Sequence, residues 1–122
     1  MVQLMPQEIE VRYLLPAIRR ELTQELIFNH NLKQREVAQI LGVTESAISQ
    51  YVSDKRGSEL QFNAKEKKII KTFAQKIAVD QGNSLRYMFN VSQVLRGSKS
   101  MCDLHREIDG SIPKKCDICK ES

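Results

Sequence analysis

The chain has no apolar run long enough to span a bilayer, and Glu8 and Glu10 fall within its first ten residues. Neither a transmembrane segment nor a signal peptide is expected, and the sequence reads as cytoplasmic. A glycine-rich phosphate loop and a nucleophile–base motif are also missing, and His30 and His105 are the only histidines. Enzymatic function is therefore not expected. The three cysteines all lie after residue 101, too few and too clustered for a disulfide framework. In a cytosolic chain such clustering points to metal or redox chemistry.

A length of 122 residues suits one domain, or one small domain with an appendage. At 41% hydrophobic and 28% charged residues the composition is that of a folded chain rather than a disordered one. The net charge of +4 is unevenly spread. Residues 1–62 hold seven Lys/Arg against eight Asp/Glu, whereas residues 63–122 hold twelve against seven. Charge alone does not identify a nucleic-acid-binding half.

The most informative stretch is Gln34–Ser53, QREVAQILGVTESAISQYVS. Val37, Leu41, Val43, Ile48 and Tyr51 take the positions that face inward when two short helices cross. Small Ala38 permits close helix approach, and Gly42 suits the left-handed residue that ends the first helix. Thr44 is the expected N-cap of the second helix, with Glu45 in its first turn. Thr44, Glu45, Ser46, Ser49, Gln50 and Ser53 are then left exposed, all polar and short enough to reach base edges. This is the layout of a DNA-reading helix-turn-helix, with a buried helical hairpin as the bland alternative. Lys55 and Arg56 follow the second helix, where they are placed to touch phosphates; Lys33 and Arg35 are further basic residues nearby.

Elsewhere the pattern is helical throughout. The spacing of Ile18, Leu22, Leu26 and Ile27 predicts an amphipathic helix from Pro16 to Phe28, with Arg19, Arg20, Glu21 and Glu25 on its polar side. The preceding IEVRYLL fits one helix face only imperfectly. Asn63-Ala64-Lys65-Glu66 has a capping-box pattern ahead of a helix whose apolar face is Ile69, Ile70, Phe73, Ala74, Ile77 and Ala78. A further helix, Leu85 to about Arg96, is apolar on several sides and so needs two partners. This helical pair, within residues 61–97, is the expected dimer interface, with completion of a monomeric core as the competing explanation.

LPAIRREL at Leu15–Leu22 and QREVAQILGVTESAISQYVSDKRG at Gln34–Gly57 resemble small prokaryotic, mostly archaeal, transcriptional regulators with a lambda-repressor/Cro-like (XRE-like) helix-turn-helix. That family includes members with a cysteine-containing C-terminal tail. The resemblance implies a helical domain that binds double-stranded DNA, usually as a homodimer on a near-palindromic operator. It implies a phosphate contact for Gln34 and a major-groove position for Thr44, Glu45, Ser46, Ser49 and Gln50. Glu45 departs from a favourable base reader, since a carboxylate repels phosphates and accepts only from cytosine amino groups.

After a loop expected at Gly97–Ser100, Cys102, His105, Cys116 and Cys119 form a C-x2-H-x10-C-x2-C array. Three thiolates and one imidazole match a closed tetrahedral zinc site, which would compensate for the low apolar content of residues 98–122. An iron–sulfur cluster is the second reading, and bare thiols forming a Cys116–Cys119 disulfide the third.

The expectation is thus an all-α helical bundle with a helix-turn-helix and a short metal-bound C-terminal tail. Residues 1–60 would bind DNA, residues 61–97 dimerise and residues 98–122 form the Cys/His tail. The function expected is transcriptional regulation, with a metal-stabilised protein-interaction adaptor as the alternative.

Overall fold

The protein is described by a computed structural model over residues 4–110, and all described secondary structure is helical. The first helix begins earlier than the sequence pattern predicts. Helix α1 (Pro6–Ile9) passes through a π-helical turn (Glu10–Leu14) directly into α2 (Leu15–Phe28), so Pro16 lies within a continuous helical run. In a regular helix its ring would collide with the carbonyl four residues back, and its missing N–H would break the ladder. Here the Leu15 N–H returns five residues to the Glu10 carbonyl, and the wider turn lets the helix carry the proline. The same turn explains the imperfect apolar face. Buried Ile9 and Leu14 are five residues apart, after which Ala17, Ile18, Leu22 and Leu26 resume ordinary helical spacing.

Helix α2 packs against α3 (Gln34–Leu41), α4 (Glu45–Val52) and α5 (Ala64–Val79). Ile18, Leu22, Leu26, Val37, Ile48, Tyr51, Ile70 and Ile77 belong to one buried cluster. Asn63 caps α5 as its sequence indicates: its Oδ1 accepts from Glu66 N–H at 2.8 Å and Glu66 Oε1 accepts from Asn63 N–H at 2.9 Å. A 3₁₀ turn (Gln81–Asn83) leads to α6 (Ser84–Leu95). Across that junction Asp80 Oδ2 accepts from Asn83 Nδ2 and Tyr87 Oη, both at 2.9 Å. The hydrogen bonds from Asn83 and Tyr87 hold the Asp80 carboxyl below its ordinary pKa, against a smaller opposing effect of burial. The bond to Asp80 in turn raises the Tyr87 phenol.

The stretch expected to be a loop at Gly97–Ser100 is shorter, because α7 runs from Lys99 to Ile108. Ser98 caps it, its Oγ accepting from Met101 N–H at 3.4 Å. Its buried residues include Met101 and His105, so this part of the chain joins the helical core rather than standing apart. Glu66 secures it: the buried carboxylate accepts from the Ser100 N–H at 3.3 Å and from the Ser100 hydroxyl. Two polar residues, a capping Glu and a Ser, thereby couple the starts of α5 and α7. No described helix is long and apolar enough to cross a membrane.

Candidate nucleic-acid interface

The turn between α3 and α4 follows from its residues. Gly42 adopts φ +69°, in the left-handed region, and the Val43 N–H returns to the Ala38 carbonyl at 3.0 Å. Thr44 Oγ1 accepts from the Ala47 N–H at 3.0 Å and so caps α4. Ala38 and Ala47 are both 5% exposed, small side chains that let the helices approach. Val37, Ile48 and Tyr51 are buried, while Leu41 and Val43 are half-buried.

The outer face is polar. Thr44, Glu45, Ser46, Ser49 and Ser53 are exposed, Gln50 is half-buried, and Gln34, Lys55 and Arg56 are exposed at the flanks. These positions are not equivalent. The Thr44 hydroxyl is engaged as a cap, and Ser53 Oγ donates back to the Ser49 carbonyl at 3.1 Å or the Gln50 carbonyl at 3.3 Å. Ser46, Ser49 and Gln50, at i, i+3 and i+4, share one helix face and leave a short polar stripe. Arg56 sits with its guanidinium 5.9 Å from the Tyr51 ring centroid, which restricts its swing at the end of α4. Lys33 gives its backbone N–H to Glu36 Oε1 at 3.1 Å, so Glu36 serves the start of α3.

The end of α4 is fixed by residues whose role the sequence pattern does not show. Asp54 takes φ +59°, and the Lys55 N–H returns to the Gln50 carbonyl at 2.9 Å, a Schellman-type ending. Arg20, expected on the polar side of its helix, is instead 6% exposed. Its Nη1 donates to Asp54 Oδ1 at 2.9 Å, its Nη2 to Glu21 Oε1 at 2.7 Å and its Nε to the Gly57 carbonyl at 3.2 Å. Gln24 Nε2 is within hydrogen-bond distance of the Tyr51 carbonyl at 3.3 Å and of Asp54 Oδ1 at 3.2 Å. The only sequence hint is that Arg20 and Gln24 are four apart beside an apolar stripe; their partners lie far along the chain.

Residues 22–59 match the helix-turn-helix family model. This match, over about a third of the chain, supports an XRE-type DNA-binding regulator. No curated protein and no solved structure matches the chain.

Of the four metal ligands expected from the sequence, Cys116 and Cys119 lie outside the described residues. Cys102 and His105 are three apart on α7. Cys102 is half-buried, with its Sγ 3.6 Å from the Gly97 carbonyl. His105 is 4% exposed, and its Nε2 lies 2.8 Å from the Leu4 carbonyl oxygen. A carbonyl only accepts, so Nε2 carries a proton and Nδ1 is the ring nitrogen left for a metal. Among the described residues no three His, Cys, Asp or Glu side chains form a metal-holding group.

Proposed function

We propose that the chain is a sequence-specific transcriptional regulator that binds double-stranded DNA as a homodimer on a near-palindromic operator. The observation that carries this reading is the exposed polar stripe of α4, presented by a turn fixed at Gly42 and Thr44. Ser46 and Ser49 hydroxyls can donate or accept at base edges, and the Gln50 amide can pair with adenine through both of its polar atoms. Gln34, Lys55 and Arg56, aided by Lys33 and Arg35, would hold phosphates and set register. Glu45 opens α4, where its charge favours the positive helix end more than it favours DNA.

The near-neutral first half limits how tightly one copy can bind, so two copies reading half-sites about 34 Å apart would supply affinity and specificity. The pair α5 and α6 offers the dimer face, with Val79, Leu85, Phe89 and Val94 large, apolar and exposed. In the tail, Cys102 Sγ and His105 Nδ1 would join Cys116 and Cys119 around zinc, with an iron–sulfur cluster as the second reading. The Nε2–H to Leu4 bond supports that assignment, since metal-bound imidazoles are commonly oriented by giving the other ring proton to a carbonyl. Such a centre would be structural or sensory.

Filter binding with salt titration on selected operator and scrambled duplex tests the central reading. A DNA reader loses affinity steeply with salt and keeps its preference for the operator. Equal, weak binding to both duplexes would favour a protein-interaction adaptor.

A further inference from the structure

Lys65, Lys67, Lys68 and Lys71 are all exposed along one side of the N-terminal half of α5. Residues 63–97 hold seven Lys/Arg against two Asp/Glu, so the whole +5 excess of residues 63–122 resides there. Neither acid faces the lysines as a free counter-charge. Glu66 is buried and accepts from the Asn63 and Ser100 N–H groups, and Asp80, beyond the far end of α5, accepts from Asn83 and Tyr87. Elsewhere Arg12, Arg20, Arg96, Lys99 and Arg106 each meet a carboxylate. Among the described residues none of the four lysines is ion-paired.

The arrangement is unfavourable within the chain. Lys65–Lys68, Lys68–Lys71 and Lys67–Lys71 are like-charge neighbours at i,i+3 or i,i+4, and positive charge near the start of a helix opposes its dipole. A stripe that breaks local rules without compensation in its own fold points to an anion outside it.

The chemistry of the stripe narrows the partner. Thr72 and Gln75 are its other exposed residues, and Val79 is the only large apolar side chain of α5 that is exposed. A protein-docking face has an apolar core and is poor in lysine, the opposite composition. Single-stranded nucleic acid stacks its bases on exposed aromatic rings, whereas Phe73 is half-buried and has Lys76 Nζ 4.8 Å from its centroid. A duplex backbone needs only mobile positive charge within reach. Lys65 to Lys71 covers about 9 Å, a length over which a duplex presents about five phosphates. We propose that this lysine face is a second contact to duplex DNA, holding phosphates without reading sequence. It supplies affinity that the near-neutral first half lacks and does not depend on the reading of α4 as the base-reading helix. Val79, at the proposed dimer face, lies about 12 Å further along α5 and is left free.

Fluorescence anisotropy on the full chain with operator duplex, scrambled duplex and single-stranded DNA tests this. Replacing all four lysines (Lys65→Gln, Lys67→Gln, Lys68→Gln and Lys71→Gln) should weaken binding to scrambled duplex about tenfold or more and make the salt dependence shallower by about two to four phosphates. Operator preference should be retained. The same four positions changed to arginine should keep wild-type affinity, because charge alone is needed. Circular dichroism should show an intact helical fold in both variants. A control that removes equal charge elsewhere, Arg12→Gln, Arg86→Gln, Lys99→Gln and Arg106→Gln together, should leave the salt dependence nearly as in wild type. Unchanged affinity and salt dependence in the glutamine variant overturns the proposal, since the lysines are then only solvated. So does an equal change in the charge-matched control, or a loss confined to single-stranded DNA. Wild-type protein without operator preference, whose duplex binding the four glutamines abolish, refutes the reading of α4 and leaves the lysine face standing.

Discussion

Arg20 Nη1 donates to Asp54 Oδ1 at 2.9 Å, joining the second turn of α2 to the left-handed residue that ends α4. The pair is asymmetric: the Arg20 side chain is 7% exposed and that of Asp54 60%. Arg20 also serves the Gly57 carbonyl and Glu21, so its removal strips several groups at once. Arg20→Ala is expected to cost about 3 kcal/mol in urea denaturation. Asp54→Asn, which tolerates the same backbone and keeps an acceptor, should cost under about 1 kcal/mol. Similar losses for the two would contradict a central role for Arg20.

Two glycines with similar positive φ should respond differently to alanine. Gly42 has φ +69° with nothing within 4 Å of an added Cβ, so Gly42→Ala pays mainly for the left-handed conformation, about 1–2 kcal/mol. Gly57 has φ +77° and an added Cβ would stand 2.4 Å from the Pro16 carbonyl oxygen. Backbone must move there, and Gly57→Ala should lower the melting temperature clearly more than Gly42→Ala. The reverse order would mean that the α2 contact is not tight in solution.

Local chemistry made much of this fold readable. Gly42, Thr44 and Asn63 specify turn and caps through their own side chains or backbone freedom, and the structure places all three as the sequence indicates. Pro16 misleads, because a π-turn absorbs it and shifts the apolar period by one residue. Helix α7 was hidden because few of its residues are apolar and its anchoring depends on Glu66, thirty-four residues away from Ser100. Gln50, expected to be exposed, is half-buried, whereas the polar face of α4 was legible at Thr44, Glu45, Ser46, Ser49 and Ser53. The lock at its end was not, since Arg20 meets Asp54 and Gly57 only after folding.

The α5–α6 junction should respond at both ends of the pH scale. Asp80 is lowered by Asn83 and Tyr87, so its contribution is present above the unfolded carboxylate pKa and is lost as pH falls through the folded value. Tyr87 is raised by Asp80, so its contribution is present below the unfolded phenol pKa and is lost as pH rises through the folded value. Ultraviolet titration, with Tyr87→Phe to assign the signal, should find the Tyr87 phenol ionising later than an ordinary tyrosine, and Asp80→Asn should remove that delay. A delay that persists in Asp80→Asn would refute the pairing.

Chelation tests the tail. Protein purified without oxygen should be colourless and carry one zinc per chain, which Cys116→Ser and Cys119→Ser each reduce. Loss of metal should lower the melting temperature. A brown protein containing iron and sulfide would establish the cluster instead, and metal-free protein of unchanged stability would exclude a structural centre.

Operator binding by α4 variants tests the DNA-reading role of that helix most directly. Fluorescence anisotropy on a selected operator and on scrambled duplex should separate two groups of residues. Ser46→Ala, Ser49→Ala and Gln50→Ala should each cost about 1–3 kcal/mol on the operator and little on scrambled DNA. Lys55→Ala and Arg56→Ala should weaken both duplexes alike and make the salt dependence shallower by about one phosphate each. Wild-type protein that shows no operator preference, or α4 variants that leave the preference intact, would contradict it.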